Sequence, residues 1–198
     1  MNGHENEAFV KTQFKILTYL FIASTALAST AFAGGMGGGG TPTPITFSAL
    51  TDLEYGVTGV AGGSGNIDLA TNGTITYGAG YTGSGVGTAG SFAISGDNNA
   101  NVDVACSATA TMTNNTGGAL TLSVIELRVQ NTGAFGTGAT CAGLGTTALT
   151  HRLRNQINRN TFFIGARLDG TGGVPTGNGQ FSTGNPGGSS ITISVFYQ

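Results

Sequence analysis

Residues 189–198 read Ser-Ser-Ile-Thr-Ile-Ser-Val-Phe-Tyr-Gln. Ile191, Ile193, Val195 and Tyr197 alternate with Thr192, Ser194, Phe196 and Gln198, the period of two that a strand needs when only one of its faces is buried. β-Branched and aromatic residues suit that pleated, half-buried surface. The same alternation recurs in short runs along much of the chain, and clusters of glycine, asparagine and threonine separate the runs. Glycine weakens a helix interior and frees a turn, so this punctuation favours many short strands over helices. The fold class read from it is all-β.

The N-terminus obeys a different rule. Lys11 and Lys15 precede an apolar run over residues 16–28, and Ala31-Phe32-Ala33 follows as a small-x-small motif. A basic region, an apolar region and a small-residue site in that order are the layout of a secretory signal. Residues 1–33 are therefore expected to be a signal peptide cleaved after Ala33, with Ala26-Leu27-Ala28 as a second possible site. The uncharged run is shorter than the ~20 residues a membrane span requires, and no cysteine follows it to carry a lipid. Residues 34–44, Gly-rich with Pro42 and Pro44, read as a flexible leader. Residues 45–198 are expected to form one β-sandwich domain.

Charge bounds the partners. Of 198 residues only seven are cationic, namely Lys11, Lys15, Arg128, Arg152, Arg154, Arg159 and Arg167. A nearly neutral chain lacks the electrostatic footprint for nucleic acid or an anionic membrane. The 36 glycines show no three-residue period, which excludes collagen. Two cysteines lie beyond the signal, Cys106 and Cys141, and export gives them an oxidising route in which to pair.

Taken in order, Ile45, Phe47 and Ala49 begin the strands, followed by a run through Leu53 and Val57. Ile67 and Leu69 lead to Asn72-Gly73, a hairpin signal, and then to residues 74–77. Residues 78–90 read as loop. Phe92 and Ile94 mark a short strand. Val102, Val104, Cys106, Ala108, Ala110 and Met112 share one face of a longer one. Over residues 119–130 the alternation slips phase at Val124-Ile125, as a bulge would make it do. Phe162, Ile164, Ala166 and Leu168 restore it. The pattern fits an antiparallel sandwich, and a closed barrel fits it as well.

Little here points to catalysis. His151 is the one histidine beyond the signal, and arginines flank it rather than a nucleophile or base pattern. Asp52 and Glu54 read as turn and strand residues. Asp97-Asn98-Asn99 with Asp103 lacks calcium-loop spacing and reads as turn chemistry. No enzyme activity, cofactor or metal is expected. The basic cluster from Arg152 to Arg159 reads as a solvated edge.

Several pieces resemble one family. Asp52-Leu53-Glu54-Tyr55-Gly56-Val57 resembles the Leu-x-Phe-Gly element of the bacterial domain of unknown function 4402. Ala89-Gly90-Ser91-Phe92-Ala93-Ile94-Ser95-Gly96 resembles its Ala-x-Phe-x-Val-x-Gly strand, and Ile164-Gly165-Ala166-Arg167-Leu168 its Val-Gly-Ala-x-Leu strand. The stretch from Gly187-Gly188 to Tyr197-Gln198 resembles its closing strand. The ending is also similar to those of spore coat protein U and chaperone-usher pilins, with an alternating last strand and a penultimate tyrosine.

The resemblance implies an immunoglobulin-like, pilin-like sandwich that lacks one strand. A periplasmic chaperone fills the groove first, then the N-terminal segment of the next subunit, delivered at an outer-membrane usher. Strand addition satisfies an open edge with main-chain hydrogen bonds. On that reading Ile45, Phe47, Ala49 and Leu53 are the donor segment, and Ile191, Ile193, Val195 and Tyr197 form the C-terminal edge strand. Pro42 and Pro44 cut the donor's N-terminal side, so a self-complete sandwich stays open beside a strand-complemented one.

Two functions follow as expectations. The first is an exported structural subunit of a surface filament, fimbrium or coat, travelling across the inner membrane through the periplasm to the cell surface. The second is a monomeric secreted or surface-attached adhesion module for glycans or proteins, using Tyr77, Tyr81 and the Arg152 to Arg159 cluster.

Overall fold

The computed structural model describes residues 9–13, 43–60, 65–83, 85–114, 118–170 and 181–198. Its strands in chain order are β1 (Phe9–Gln13), β2 (Thr46–Thr51), β3 (Glu54–Val60), β4 (Ile67–Leu69), β5 (Ile75–Tyr77), β6 (Tyr81–Gly83) and β7 (Gly90–Ser95). They continue as β8 (Asn101–Cys106), β9 (Ala110–Thr113), β10 (Ala119–Val129), β11 (Ala139–Thr140), β12 (Thr147–Arg152), β13 (Thr161–Asp169) and β14 (Ile193–Tyr197). The described helical content is one 3-10 turn, Ile157–Asn160. Every strand pair is antiparallel. The chain is all-β, as its alternation requires.

β10 and β13 lie side by side at the centre of the larger sheet. Along its other edge β13 meets two strands in succession, β7 opposite Thr161 to Ile164 and β4 opposite Ala166 to Leu168. Gly165 stands between them. A Cβ there would lie 2.6 Å from the Leu69 carbonyl oxygen and 3.0 Å from Glu126 Oε1, so only glycine lets both neighbours approach. β2 extends the sheet beyond β7, and β5 extends it beyond β4. On the far side of β10 sit β9 and β11. The smaller sheet runs β12-β8-β14, and a third runs β1-β3-β6.

The inward faces of these sheets form one apolar cluster. Phe92 and Phe162 stack with ring centroids 4.9 Å apart, and Phe47 tilts against Phe92 at 5.8 Å. His151 of β12 presents its edge to Phe162 of β13 at 5.4 Å, a contact between the smaller sheet and the larger. Tyr55 is fully buried and donates its hydroxyl proton to the Ala166 carbonyl. Burial raises its pKa well above the ordinary value, the Asp68 carboxylate adds to the rise, and Arg167 opposes it. On the outer face Arg167 clamps Asp68, its cross-strand partner, through two hydrogen bonds of 2.6 and 2.8 Å.

Several details were legible in advance. Phe162, Ile164, Ala166 and Leu168 are all buried. Asn72-Gly73 does turn between β4 and β5, with Gly73 at φ +83° and Asn72 accepting the Thr74 N–H. The phase slip in β10 is a register shift between Leu122 and Val124, one residue earlier than the sequence suggested.

Other details differ. The single strand expected from Val102 to Met112 is two, because β8 pairs with β12 and β14 whereas β9 pairs with β10. The chain changes sheet at residues 107–109, and Ala108 leaves the buried face there. Such corners are how sandwich strands switch sheets. Within residues 78–90, expected to be loop, Tyr81–Gly83 forms a strand on β3. The processing motifs at residues 26–33 and most of the leader lie outside the described residues.

Cys106 ends β8 and Cys141 follows β11, and the two form a disulfide with Cα atoms 5.2 Å apart. It ties the smaller sheet to the larger. With a sequence separation of 35 residues, constraint of the unfolded chain makes the bridge worth about 3–4 kcal/mol. The double variant Cys106→Ala/Cys141→Ala is expected to lose stability by that amount in urea titrations. An unchanged midpoint would show that the bridge contributes nothing.

Candidate functional site

Among the described residues the last strand has one neighbour. β14 pairs with β8 from Ile193 opposite Cys106 to Tyr197 opposite Val102. Ser107 N–H bonds the Thr192 carbonyl at 3.0 Å and Gln198 N–H bonds the Asn101 carbonyl at 3.1 Å. In an antiparallel ladder alternate residues turn their backbone groups to the same side. Thr192, Ser194, Phe196 and Gln198 therefore face β8, while the N–H and C=O groups of Ile193, Val195 and Tyr197 face the other way. No described strand pairs with them there. Their side chains behave differently: Ile193 is buried, Val195 and Tyr197 half-buried, and Phe196 on the outer face is 45% exposed. Ile191 stands just before the strand and is buried.

Tyr197 pins this edge. Its hydroxyl donates to the Thr43 carbonyl at 2.6 Å and accepts the Asp97 N–H at 2.8 Å. Asp97 Oδ1 in turn accepts the Thr43 N–H at 2.9 Å. Thr43 precedes β2, Asp97 follows β7, and Tyr197 ends β14, so three distant segments meet at one hydroxyl. Gly96 lies beneath it, and a Cβ at that position would overlap the Tyr197 oxygen. The glycine that closes the motif at residues 89–96 is thus explained by packing. Thr43, Gly96 and Asp97 were not singled out from sequence as parts of this site; the penultimate tyrosine was their one signal.

The residues read as a donor segment lie in the same region. Phe47 packs on Phe92, and Ala49, at φ 51°, sits in the bulge where β2 slips against β7. Leu53 is wholly buried. Ile45 packs partly against the core. In this structure the segment closes its own sheet, and β2 has no described partner beyond β7. A second edge is covered from within the chain, because Phe9–Gln13 pairs along β3.

The residues considered for ligand binding are not brought together on one surface. Tyr81 is buried with its hydroxyl donating to Gly170 O at 3.4 Å. Tyr77 is half-buried and its oxygen is inside. Arg152 bonds the Asn99 carbonyl, and Arg159 bonds the Gln156 side chain. His151 is a packing residue. Asn160 accepts the Arg154 N–H through Oδ1 and donates to the Arg154 carbonyl through Nδ2, which fixes its amide. The 3.1 Å contact to His151 Nε2 therefore has the ring donating to that Oδ1. Asp103 accepts from Thr150 and Gln198. Among the described residues no three His, Cys, Asp or Glu side chains are placed to hold a metal ion.

A family model described as "Domain of unknown function (DUF4402)" matches residues 45–197. No curated protein matches, and no solved structure does.

Two expectations follow from the Tyr197 junction. Tyr197→Phe keeps the ring and removes both hydroxyl bonds, so chemical denaturation should show a loss of about 1–3 kcal/mol. The Thr43 side chain and then its N–H hold the Asp97 carboxyl below its ordinary value of 3.8. A carboxyl depressed on folding stabilises fully above its unfolded pKa, and that contribution is lost as pH falls through the folded value. Stability of the native chain and of Asp97→Asn, measured from neutral to acid pH, should therefore converge at the acid end. A gap that stayed constant with pH would count against this role.

Proposed function

The chain belongs to the DUF4402 family, and from that premise we propose that it is an exported structural subunit of a bacterial surface filament or coat. On this reading it is a pilin-like, immunoglobulin-like sandwich that works by joining proteins and not by catalysis. The observation that carries the proposal is the edge of β14 that no described strand covers, with the backbone groups of Ile193, Val195 and Tyr197 turned away from β8. An unpaired edge is a template for another strand, and folds that do not use one usually blunt it with charge, proline or a cover. β14 carries none of the charged residues or prolines that would blunt it. A strand of a second subunit satisfies the exposed groups, and Phe196 gives it an apolar neighbour on the outer face.

Processing supplies a further edge. Cleavage after Ala33 removes β1 and leaves β3 with β6 as its neighbour. Joining two unlike edges head to tail produces an open-ended assembly, whereas joining like edges closes a dimer. The donor is the segment containing Ile45, Phe47, Ala49 and Leu53, which exchanges its seat on β7 for one on a neighbouring copy or a related subunit. A periplasmic chaperone covers the edge before assembly, and an outer-membrane usher receives the subunit.

Backbone parity provides the test. Proline at residue 195 removes an N–H that points away from β8 and leaves the intramolecular ladder intact. Proline at residue 194 removes one that bonds β8. Val195→Pro is expected to stay folded by circular dichroism yet remain monomeric where the native chain forms SDS-resistant oligomers. Ser194→Pro is expected to lose the fold. Native-sized oligomers from folded Val195→Pro would sink the proposal.

A further inference from the structure

A second feature lies away from the assembly edge. The turn between β4 and β5, the stretch leading into β7, the loop after β10 and the face of β13 enclose an open cleft of ≈ 250 Å³. Phe163, half-buried on β13, is part of its lining and is the cross-strand partner of Ser91 on β7. Thr88, Ser91, Thr132 and Asn72, which bring three hydroxyls and a carboxamide, line the same cleft. Asn72 uses its oxygen to hold the Thr74 N–H. The three hydroxyls have no hydrogen-bond partner among the described residues.

The walls are preformed. Gly87 N–H bonds the Gly73 carbonyl at 2.8 Å, and Thr88 exchanges two bonds of 2.8 Å with Glu54. A Cβ on Gly73 would meet the Gly87 carbonyl oxygen at 2.9 Å, and one on Gly87 would meet the Glu54 carbonyl oxygen, so both approaches need glycine. On the opposite side Thr71 Oγ1 donates to Gly133 O at 3.1 Å and accepts Gly133 N–H at 2.9 Å. Buried Glu126 accepts the Gly136 and Gly138 N–H groups through Oε2 at 2.9 and 3.1 Å. Together these bonds hold the loop that bears Thr132. A site fixed before binding loses less freedom when it is filled.

The lining chemistry selects the ligand. Among the described residues no charged side chain lines the cleft, so an ion would shed water without finding a counter-charge there. A wholly apolar molecule would strip water from three hydroxyls and an amide and leave them unpaired. A compact ring with its own hydroxyls and an apolar C–H face satisfies both demands. It rests on Phe163 and exchanges hydrogen bonds with Thr88, Ser91, Thr132 and Asn72. The volume is below the roughly 300–1,000 Å³ of drug-sized sites, which suits one ring, and the open mouth lets a chain continue beyond it.

We propose that this cleft binds a single uncharged sugar residue of a glycan. The inference does not rest on strand addition: none of these residues belongs to β14 or to the Tyr197 junction, and Ser91, which pairs with Thr51 of β2, lies on the strand that stays in place. The test is an amide NMR titration of the exported, folded chain with D-glucose, D-galactose, D-mannose and N-acetyl-D-glucosamine. At least one is expected to give saturable shifts at Gly73, Thr88, Ser91 and Thr132, with a dissociation constant on the order of 1 mM. Phe163→Ala should abolish the shifts. Thr132→Val, an exposed change that keeps side-chain shape, should weaken binding about fivefold and guards against a folding defect in the first variant. No saturable shift with any of the four sugars, or shifts that survive Thr132→Val undiminished, overturns the proposal.

Discussion

The antiparallel pairing of β10 with β13 is the constraint from which the rest of the structure follows. β10 runs from Ala119 to Val129 and β13 from Thr161 to Asp169, and their joint ladder gives β4, β7, β9 and β11 an edge to join, with β5 and β2 following on β4 and β7. Such a ladder must reconcile a flat hydrogen-bonded ribbon with a curved core. It does so at two places, a register slip between Leu122 and Val124 and the bare backbone of Gly165. The slip turns Ile125 and Leu127 inward after Leu120 and Leu122 have already been buried. Gly165 lets β13 pass from one neighbour to the next without a gap.

Beside the apolar core, specific cross-links join the sheets. The Cys106–Cys141 disulfide and the contact of His151 with Phe162 both connect the smaller sheet to the larger. The Tyr197 hydroxyl performs the same service at the margin, where three chain segments converge. The Arg167–Asp68 pair is of a different kind: it is partly exposed, so solvent screens it, and it aligns β13 with β4 more than it stabilises them.

An unpaired edge and a self-contained sandwich make opposing demands. β2 closes the larger sheet against β7, yet it enters the domain at Thr43, beside the free end of β14. The chain leading into β2 thus touches the edge strand through Thr43 and Tyr197 within the same molecule. Phe47 packs only at the margin of the core, whereas Leu53 is wholly enclosed.

The sequence by itself determined the class of structure, because side-chain alternation is a local property that each strand carries in its own residues. It also showed the Asn72-Gly73 turn, the slip in β10, and the two cysteines that pair. It did not show that the run from Val102 to Met112 changes sheets, since the inward pattern of Val102, Val104, Ala110 and Met112 is the same on either side of the corner. Nor did it show which backbone groups are left over. That Ile193, Val195 and Tyr197 face outward, and that Phe163 meets Thr88 and Thr132 across a cleft, depends on how strands distant in sequence are laid beside one another. Only the tertiary structure decides this, because a strand's pattern says which side chains to bury but not which neighbour will satisfy its main chain.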